Sequence, residues 1–517
     1  MKRFNTTGTC RPNVHYMVNI DRQVETAANL VRRGDYFCIN RGRQYGKTTT
    51  LAALKECLSK EYCVFSISFE GLDDSSFASV ATVCAEFLKI LQLFTRVNGS
   101  NDEVKSILNA AAPIGRREIS LPEFKAVVAN LMDASDKPLV VLIDEVDQAG
   151  NNDAFIKFLG VLRNMYLCRD ELPTFQSVIL AGVYDVKNLK LKMRSDEDHQ
   201  YNSPWNIAVP FDTDMSLPAD GIAGMLDDYA AEHGLQFDTV AIGQLLRDYT
   251  SGYPFLVSRL CQIIDEKDYG WDKEGVLQAV NFLLKEGNTL FDDMQKKLTQ
   301  FSGLSDMLRR IIFGGQRVGY SYYDRDINIA VMFGYVKEQD GAAVISCRIF
   351  ETWLYNYFIS NDKGSAIYQN GEYDKSRFIR DGRLDMRYLL ERFCLHFNEI
   401  YRPEHDDKFV EANGRQIFLT YLRPIINGVG NYYVEAQTRD LTRTDVVVDY
   451  RGEQYVIELK IWHGERYNEE GEQQLRRYLD YFQVDRGYLV SFCFGKNKQP
   501  GIREVEVDKR TIIEAVV

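Results

Sequence analysis

Through the first 210 residues, short runs rich in β-branched and aromatic positions alternate with longer stretches of helical spacing. The runs are Tyr36–Ile39, Cys63–Phe69, Leu139–Ile143, Ser177–Ala181 and Asn206–Phe211. Such alternation predicts an α/β layer on a mostly parallel sheet. From about 216 to 300 the strand signal fades, and amphipathic segments such as Gly221–His233 and Val276–Lys285 predict a small helical lid. Residues 301–360 predict two helices (Leu304–Phe313 and Asp326–Phe333), then two β runs, Tyr335–Lys337 and Ala343–Cys347. A closing helix follows over Phe350–Phe358. Asp340-Gly341 supplies a hairpin turn between the two β runs. A polar stretch with three glycines predicts a linker over 361–382. The expected division is therefore 1–215, 216–300, 301–360, 361–382 and a final unit over 383–517.

Composition adds little to this picture and removes several alternatives. Hydrophobic residues at 45% and charged residues at 26% are ordinary for a globular chain and exclude collagen-like, mucin-like or wholly disordered proteins. The net charge of -12 excludes a uniformly basic nucleic-acid coat. Charge is uneven, however. Residues 1–60 hold 11 Lys and Arg against 4 Asp and Glu, a positive end that a polyphosphate ligand would explain. The 10 cysteines form no C-x-x-C pair, which fits reduced thiols of the cytoplasm. The start of the chain lacks an apolar signal core, and the aliphatic run Leu139–Ile143 is far short of a bilayer span. A soluble, cytoplasmic protein without membrane contact is expected.

The strand Tyr36–Ile39 runs into Asn40-Arg41-Gly42-Arg43-Gln44-Tyr45-Gly46-Lys47-Thr48-Thr49, and helical spacing follows over Leu51–Leu58. Strand, loop ending in Gly-Lys-Thr, then helix is the context of a phosphate-binding loop. Backbone N–H groups from Arg41 to Thr49 and the helix N-terminus would cradle phosphate oxygens. Gly46 admits close backbone approach, Lys47 reaches the β- and γ-phosphates, and the Thr48 hydroxyl is a Mg²⁺ ligand. Arg41 stands where the general pattern has its first glycine. The aliphatic strand Leu139–Ile143 ends in Asp144-Glu145-Val146-Asp147. A carboxylate at that tip is where nucleotide-bound Mg²⁺ needs a ligand, so Asp144 is the expected metal residue and Glu145 the base toward the attacking water.

These segments, with Leu180–Leu189 and Asn202–Ala208, resemble the bacterial AAA-like P-loop ATPases over about residues 15–360. The resemblance implies an ASCE-type P-loop NTPase with a helical lid and a winged-helix-like module, binding ATP and Mg²⁺. An Arg-rich loop often replaces the first glycine in such proteins. Gly252-Tyr253-Pro254 resembles the Gly-x-Pro element of STAND ATPases, and the resemblance makes Arg259 a candidate phosphate sensor.

A second constellation lies near the C-terminus. In Tyr455-Val456-Ile457-Glu458-Leu459-Lys460-Ile461, alternation puts Glu458 and Lys460 on one face. Asp445 opens a preceding β run, and Arg451-Gly452 is the turn that would bring it near Glu458. Two carboxylates and a lysine suit Mg²⁺-dependent phosphodiester hydrolysis. Glu411 on an upstream helix, Phe409–Ile425, and Gln474-x-x-x-Tyr478 on a downstream helix complete the pattern. Helix, three strands, helix, strand resembles the PD-(D/E)xK nuclease superfamily, a restriction-endonuclease-like α/β fold. The resemblance makes Asp445 and Glu458 metal ligands, Lys460 the catalytic lysine and Glu411 an accessory acid. Gln474 and Tyr478 would shape the site, in the manner of the RecB-like branch.

The expected function is ATP binding and hydrolysis that regulates a Mg²⁺-dependent nuclease, with a role against phage or mobile DNA suggested by analogy. The expected partner is nucleic acid, DNA in preference to RNA, and the AAA-like resemblance admits a homo-oligomer. The alternative is an ATP-driven switch whose C-terminal domain only binds a partner or nucleic acid.

Overall fold

The computed structural model describes residues 1–98, 101–112, 115, 117–149, 152–183, 205–313, 318–321, 323–361, 364–400, 411–437, 443–462, 465–494, 501–507 and 510–517. The chain forms two compact units, Met1–Ser216 with Met332–Gly334, and Leu217–Val331 with Tyr335–Val517.

The first unit is built on strands β1 (Phe37–Asn40), β2 (Cys63–Ser68), β3 (Leu139–Asp144), β4 (Ser177–Gly182) and β5 (Val209–Pro210). They form one parallel sheet in the order β2-β3-β4-β1-β5. Alternation along β3 explains its unbroken aliphatic sequence. Val140 and Leu142 pack with helices Asp21–Arg32 and Lys47–Leu58 on one face. Val141 and Ile143 pack with Val80–Asn98, Leu121–Ala134 and Asp153–Leu167 on the other. A strand covered on both faces has no solvent side to make polar. Each such aliphatic side chain contributes about 2 kcal/mol by leaving water. The β run expected over Asn206–Phe211 shortens to two residues, because Pro210 carries no N–H and cannot extend the ladder.

The second unit opens with helices Ala219–His233, Thr239–Thr250, Pro254–Glu266, Lys273–Leu283 and Thr289–Gln300. Helices Ser302–Phe313 and Arg325–Met332 follow, then the hairpin β6 (Val336–Gln339) and β7 (Ala342–Ile345), then helix Arg348–Asn361. Asp340 and Gly341 have φ of 52° and 75°, the mirror-image turn that matches strand twist.

The segment 361–382 is not the linker its polarity suggested. It contains helix Ala366–Asp374, a 3₁₀ turn over Lys375–Arg377, and the short pair β8 (Ile379–Arg380) and β9 (Arg383–Leu384). Gly371 lies directly against the Tyr421 carbonyl, so this glycine serves close helix packing rather than flexibility. Asp374 is fully buried, 2.9 Å from His396 Nε2 and 3.3 Å from Arg392 Nε. Polar residues read as solvated are here a satisfied internal cluster.

The last sheet has the order β10-β11-β12-β13-β15-β14, from β10 (Gly430–Gln437), β11 (Arg443–Tyr450), β12 (Glu453–Ile461), β13 (Arg486–Phe492), β14 (Gly501–Val507) and β15 (Arg510–Val516). The first three strands are antiparallel, and β13 joins β12 in parallel through the crossover helix Glu465–Phe482. Arg451 and Gly452, with φ of 53° and 83°, make the β11–β12 turn. The lid packs directly on this sheet. Asn281 Nδ2 donates to Asp449 Oδ2 at 3.1 Å, and Asn431 Nδ2 donates back to Asn281 Oδ1 at 2.5 Å. Tyr249 meets Tyr433 edge to face at 5.2 Å. No helix among the described residues is long and apolar enough to cross a membrane.

Candidate functional site

The loop between β1 and helix Lys47–Leu58 turns on Gly46, whose φ of 83° suits glycine and starts the helix. Lys47 Nζ donates to the carbonyls of Arg41 at 3.0 Å and Gly42 at 2.9 Å. Burial pushes the Lys47 ammonium below its ordinary pKa, while the carboxylates of Asp147, Glu145 and Asp144 pull it back up. Thr48 Oγ1 donates to Asp144 Oδ2 at 2.7 Å. A hydroxyl and a carboxylate side by side, at the N-terminus of a helix and beside a lysine, are a hard-oxygen donor set that fits Mg²⁺.

Strand β3 brings Asp144 to that position. It pairs with β2 in a register that sets Asp144 opposite Ser68 at the C-terminal edge of the sheet. The next residue, Glu145, has φ of 54°, a conformation uncommon outside glycine, and its N–H donates to Asp144 Oδ1 at 2.9 Å. Burial raises the Glu145 carboxyl pKa, and the neighbouring Asp144 raises it further against the pull of Lys47. A carboxyl whose charged form is disfavoured is a stronger base once ionised, as activation of water requires.

The expected loop residues divide by what their side chains do. Gly42, Arg43, Gln44, Tyr45, Gly46, Lys47, Thr48 and Thr49 lie in the loop or the first helical turn. Gln44 has φ of 56°, and Thr49 Oγ1 accepts from the Cys10 N–H at 3.0 Å. Arg41 is held elsewhere. Its guanidinium donates to the carbonyls of Asn40 at 2.8 Å, Phe211 at 3.3 Å and Thr213 at 2.7 Å. Arg259 forms a bidentate pair with Glu286, at 2.6 and 2.9 Å, inside the helical lid.

Sequence reasoning gave Asp147 no role. Its Oδ2 accepts the Val183 N–H at 2.5 Å, and a Cβ on Gly182 would meet its Oδ1 at 2.9 Å. Asp147 therefore fixes the tip of β4 against the end of β3. The spacing Asp144-x-x-Asp147 carried the signal, since a third carboxylate one helical turn on returns to the same edge of the sheet. The motif residues Tyr184–Leu189 and Asn202–Pro204 lie outside the described residues, and Trp205 is a fully buried core residue.

In the second constellation, Lys460 Nζ lies 3.0 Å from Glu458 Oε1, with side-chain exposures of 16% and 1%. The Lys460 side chain lies under the crossover helix, where a Cβ on Gly471 would stand 3.5 Å from Lys460 Cγ. On that helix Gln474 Nε2 donates to Tyr478 Oη at 2.8 Å. Val446 pairs with Ile457, so the register carried one residue on sets Asp445 opposite Glu458. Opposite residues in an antiparallel pair have Cα atoms about 4.5–5.5 Å apart. Glu435, flanked by the Val434–Val446 and Ala436–Thr444 pairs, stands opposite Asp445 in turn. Only the strand register reveals that Glu435 faces Asp445, and the Glu435 side chain lies outside the described residues. Glu411 begins helix Glu411–Ile426, and the side chains of Glu411 and Asp445 lie outside the described residues. Among the described residues no three His, Cys, Asp or Glu side chains form a closed metal cage.

Comparison with known proteins gives a family for most of the chain. The model of the AAA-like domain matches residues 8–356. Among solved structures, a Walker-type ATPase of Pyrococcus abyssi aligns at 14% identity and a TM-score of 0.45, covering 68% of this chain and 99% of that one. The Aeropyrum pernix ORC2 protein, solved as ADPNP–ADP complexes, aligns at 15% identity and 0.37, covering 70% and 97%. The Cdc6p of Pyrobaculum aerophilum aligns at 13% identity and 0.31, covering 69% and 97%. No curated protein matches the sequence. The loop Arg41–Thr49, the strand tip at Asp144 and the matched span together make the chain a member of the AAA-like P-loop ATPase family.

Proposed function

We propose that the protein couples ATP binding and hydrolysis in its AAA-like core to phosphodiester cleavage by its C-terminal domain. In the core, the loop N–H groups and Lys47 hold the β- and γ-phosphates, and Glu145 takes the proton of the attacking water. Thr48 and Asp144 would hold Mg²⁺ there, and Asp445 and Glu458, with Glu411 as accessory acid, would hold it in the C-terminal domain. Bound Mg²⁺ supplies charge neutralisation on phosphoryl oxygens in both places. Lys460 orients the nucleophile in the second site, while Gln474 and Tyr478 shape its wall. The substrate is nucleic acid, DNA in preference to RNA, and the cellular role is defence against phage or mobile DNA in the cytoplasm. Residues 301–360 act as a winged-helix-like module, and a homo-oligomer is an assembly that the AAA-like core admits.

The observation that carries the nuclease reading is the register of β11 on β12. It brings Asp445 opposite Glu458, two residues from the Lys460 ammonium that lies on the Glu458 carboxylate. That spacing is what one Mg²⁺ shared by two carboxylates requires. One observation favours a second reading, an ATP-driven switch with a C-terminal domain that only binds. Glu458 is buried and ion-paired, as a purely structural pair would also be. Purified protein with Mg²⁺ or Mn²⁺, offered single- and double-stranded DNA and RNA, separates the two. Cleavage that disappears in Lys460→Ala, with ATP binding retained, supports the nuclease. Intact polynucleotide with both proteins supports the switch.

A further inference from the structure

The lid reaches strands β10 and β11 through one side chain. Asn281, on helix Lys273–Leu283, donates through Nδ2 to Asp449 Oδ2 at 3.1 Å and accepts at Oδ1 from Asn431 Nδ2 at 2.5 Å. Asn431 and Asp449 are partners in the β10–β11 ladder. One carboxamide therefore joins a facing pair on two strands that lie 150 and 168 positions away in sequence. The same helix touches the neighbouring elements. Lys273 Nζ donates to Phe482 O at 3.5 Å, at the end of the crossover helix, and a Cβ on Gly452 would stand 3.2 Å from Glu274 Oε1.

The strand sequences explain what this contact decides. Tyr432, Tyr433 and Val434 on β10, and Val446, Val447 and Val448 on β11, are all buried. Apolar residues on both faces resist a one-residue slip only weakly, because the slipped strand again buries apolar side chains. A buried polar residue turned to the wrong face loses its partners and is penalised. Asn431 and Asp449, 2% and 1% exposed, are that polar pair, and Asn281 satisfies both in the observed register. Strand β10 is also the edge of the sheet, with a neighbouring strand on one side only.

Four residues along the two strands, at positions that alternation puts on the same face, stand Glu435 and Asp445. Among the described pairs, β11 meets β12 over Val446–Tyr450 but meets β10 as far as Arg443. The start of β11, with Asp445, is thus held from the β10 side. We infer, resting on the two-carboxylate reading of the C-terminal site, that Asn281 is a positioning residue for that site. It locks β10 on β11 and so keeps Asp445 level with Glu458. The lid and the sheet belong to the same compact unit, and the lid is part of the framework that sets the carboxylate spacing.

Hydrogen exchange of peptides covering 430–437 and 443–450 tests this in the full-length protein without nucleotide, as Mn²⁺ is raised. Polynucleotide cleavage and affinity for a fluorescent ATP analogue are measured alongside. In wild type, Mn²⁺ should slow exchange at 443–450. Asn281→Ala should speed metal-free exchange in both peptides about tenfold. It should also need about tenfold more Mn²⁺ for the same protection and for half-maximal cleavage, with affinity for the ATP analogue unchanged. Asp449→Asn keeps an oxygen acceptor for Asn281 and should match wild type, whereas Asp449→Ala should match Asn281→Ala. Unchanged exchange in Asn281→Ala, or faster exchange with an unchanged Mn²⁺ requirement, would overturn the inference. Loss of the Mn²⁺ response in Asp449→Asn would overturn it too, by making Asp449 a metal ligand. A wild type that responds to Mn²⁺ at 443–450 yet cuts nothing would remove the nuclease reading and leave the lock supported. No Mn²⁺ response in wild type would overturn the positioning role whether or not the protein cuts. Should Asn281→Ala fail to fold, Asn431→Ala removes half of the lock, and the same readings apply.

Discussion

Thr48 Oγ1 donates to Asp144 Oδ2 across 2.7 Å, which joins the first turn of the phosphate-loop helix to the tip of β3. The two residues are 96 positions apart in sequence. They meet because β3 is an interior strand of a parallel sheet whose strands all end at the same edge. Lys47, next to Thr48, and Glu145, next to Asp144, flank this contact.

Glu145 should be essential for turnover and dispensable for binding. Glu145→Gln should bind ATP like wild type and hydrolyse it about 100-fold more slowly, the usual worth of a general base. Its pH dependence has a definite sign. Burial and Asp144 raise its carboxyl above the ordinary value of 4.5, and the base must be ionised to act. The rate in wild type should therefore climb as pH rises through a midpoint above 4.5. By the same linkage, Glu145 favours the folded state at low pH, and that contribution is lost as pH rises through its folded pKa. A pH–rate profile on wild type and Glu145→Gln checks this; the same limb in both would exclude Glu145.

Asp147 should matter through the hydrogen bond it accepts. Asp147→Ala leaves the Val183 N–H without its acceptor and should cost about 1–2 kcal/mol of stability. Asp147→Asn keeps an acceptor and should restore most of the loss. Thermal unfolding of the three proteins is the measurement, and equal stability of the alanine and asparagine variants would contradict the role.

How far the sequence could be read follows from where each signal resides. The phosphate loop, Asp144, Glu145 and the Glu458–Lys460 pair were legible because each is local, a few residues on one strand or turn. The five-strand parallel sheet was legible because burial on both faces writes aliphatic runs such as Val140–Ile143. Features that depend on register or tertiary contact were not. Glu435 joins Asp445 only through β10–β11 pairing, and Asp147 reaches Val183 only after β3 and β4 align. The anchorage of the Arg41 guanidinium was not legible for the same reason, since Phe211 and Thr213 are far away in sequence. The segment 361–382 misled by composition: glycine and polar residues suggest a linker until Gly371 is seen against Tyr421 and Asp374 against His396.

That buried cluster gives a stability prediction. Burial alone would raise the Asp374 carboxyl, but the hydrogen bond from His396 and the charge of Arg392 outweigh it and hold the group below its ordinary 3.8. A depressed carboxyl contributes stability that is present above its unfolded pKa and lost as pH falls through the folded one. Asp374→Ala should destabilise the protein by about 2 kcal/mol near neutral pH, and the difference from wild type should shrink in acid. Urea unfolding at neutral and acidic pH measures both. Matching midpoints at neutral pH would show that helix Ala366–Asp374 is not anchored by this contact.

The coupled ATPase–nuclease is tested most directly by following ATP hydrolysis and polynucleotide cleavage in parallel in wild type, Lys47→Ala and Lys460→Ala. The account predicts that Lys460→Ala hydrolyses ATP at the wild-type rate while cutting nothing. It also predicts that Lys47→Ala loses ATP binding and with it every effect of ATP on cutting. A wild-type protein that turns over ATP yet leaves DNA and RNA whole under all conditions would contradict it.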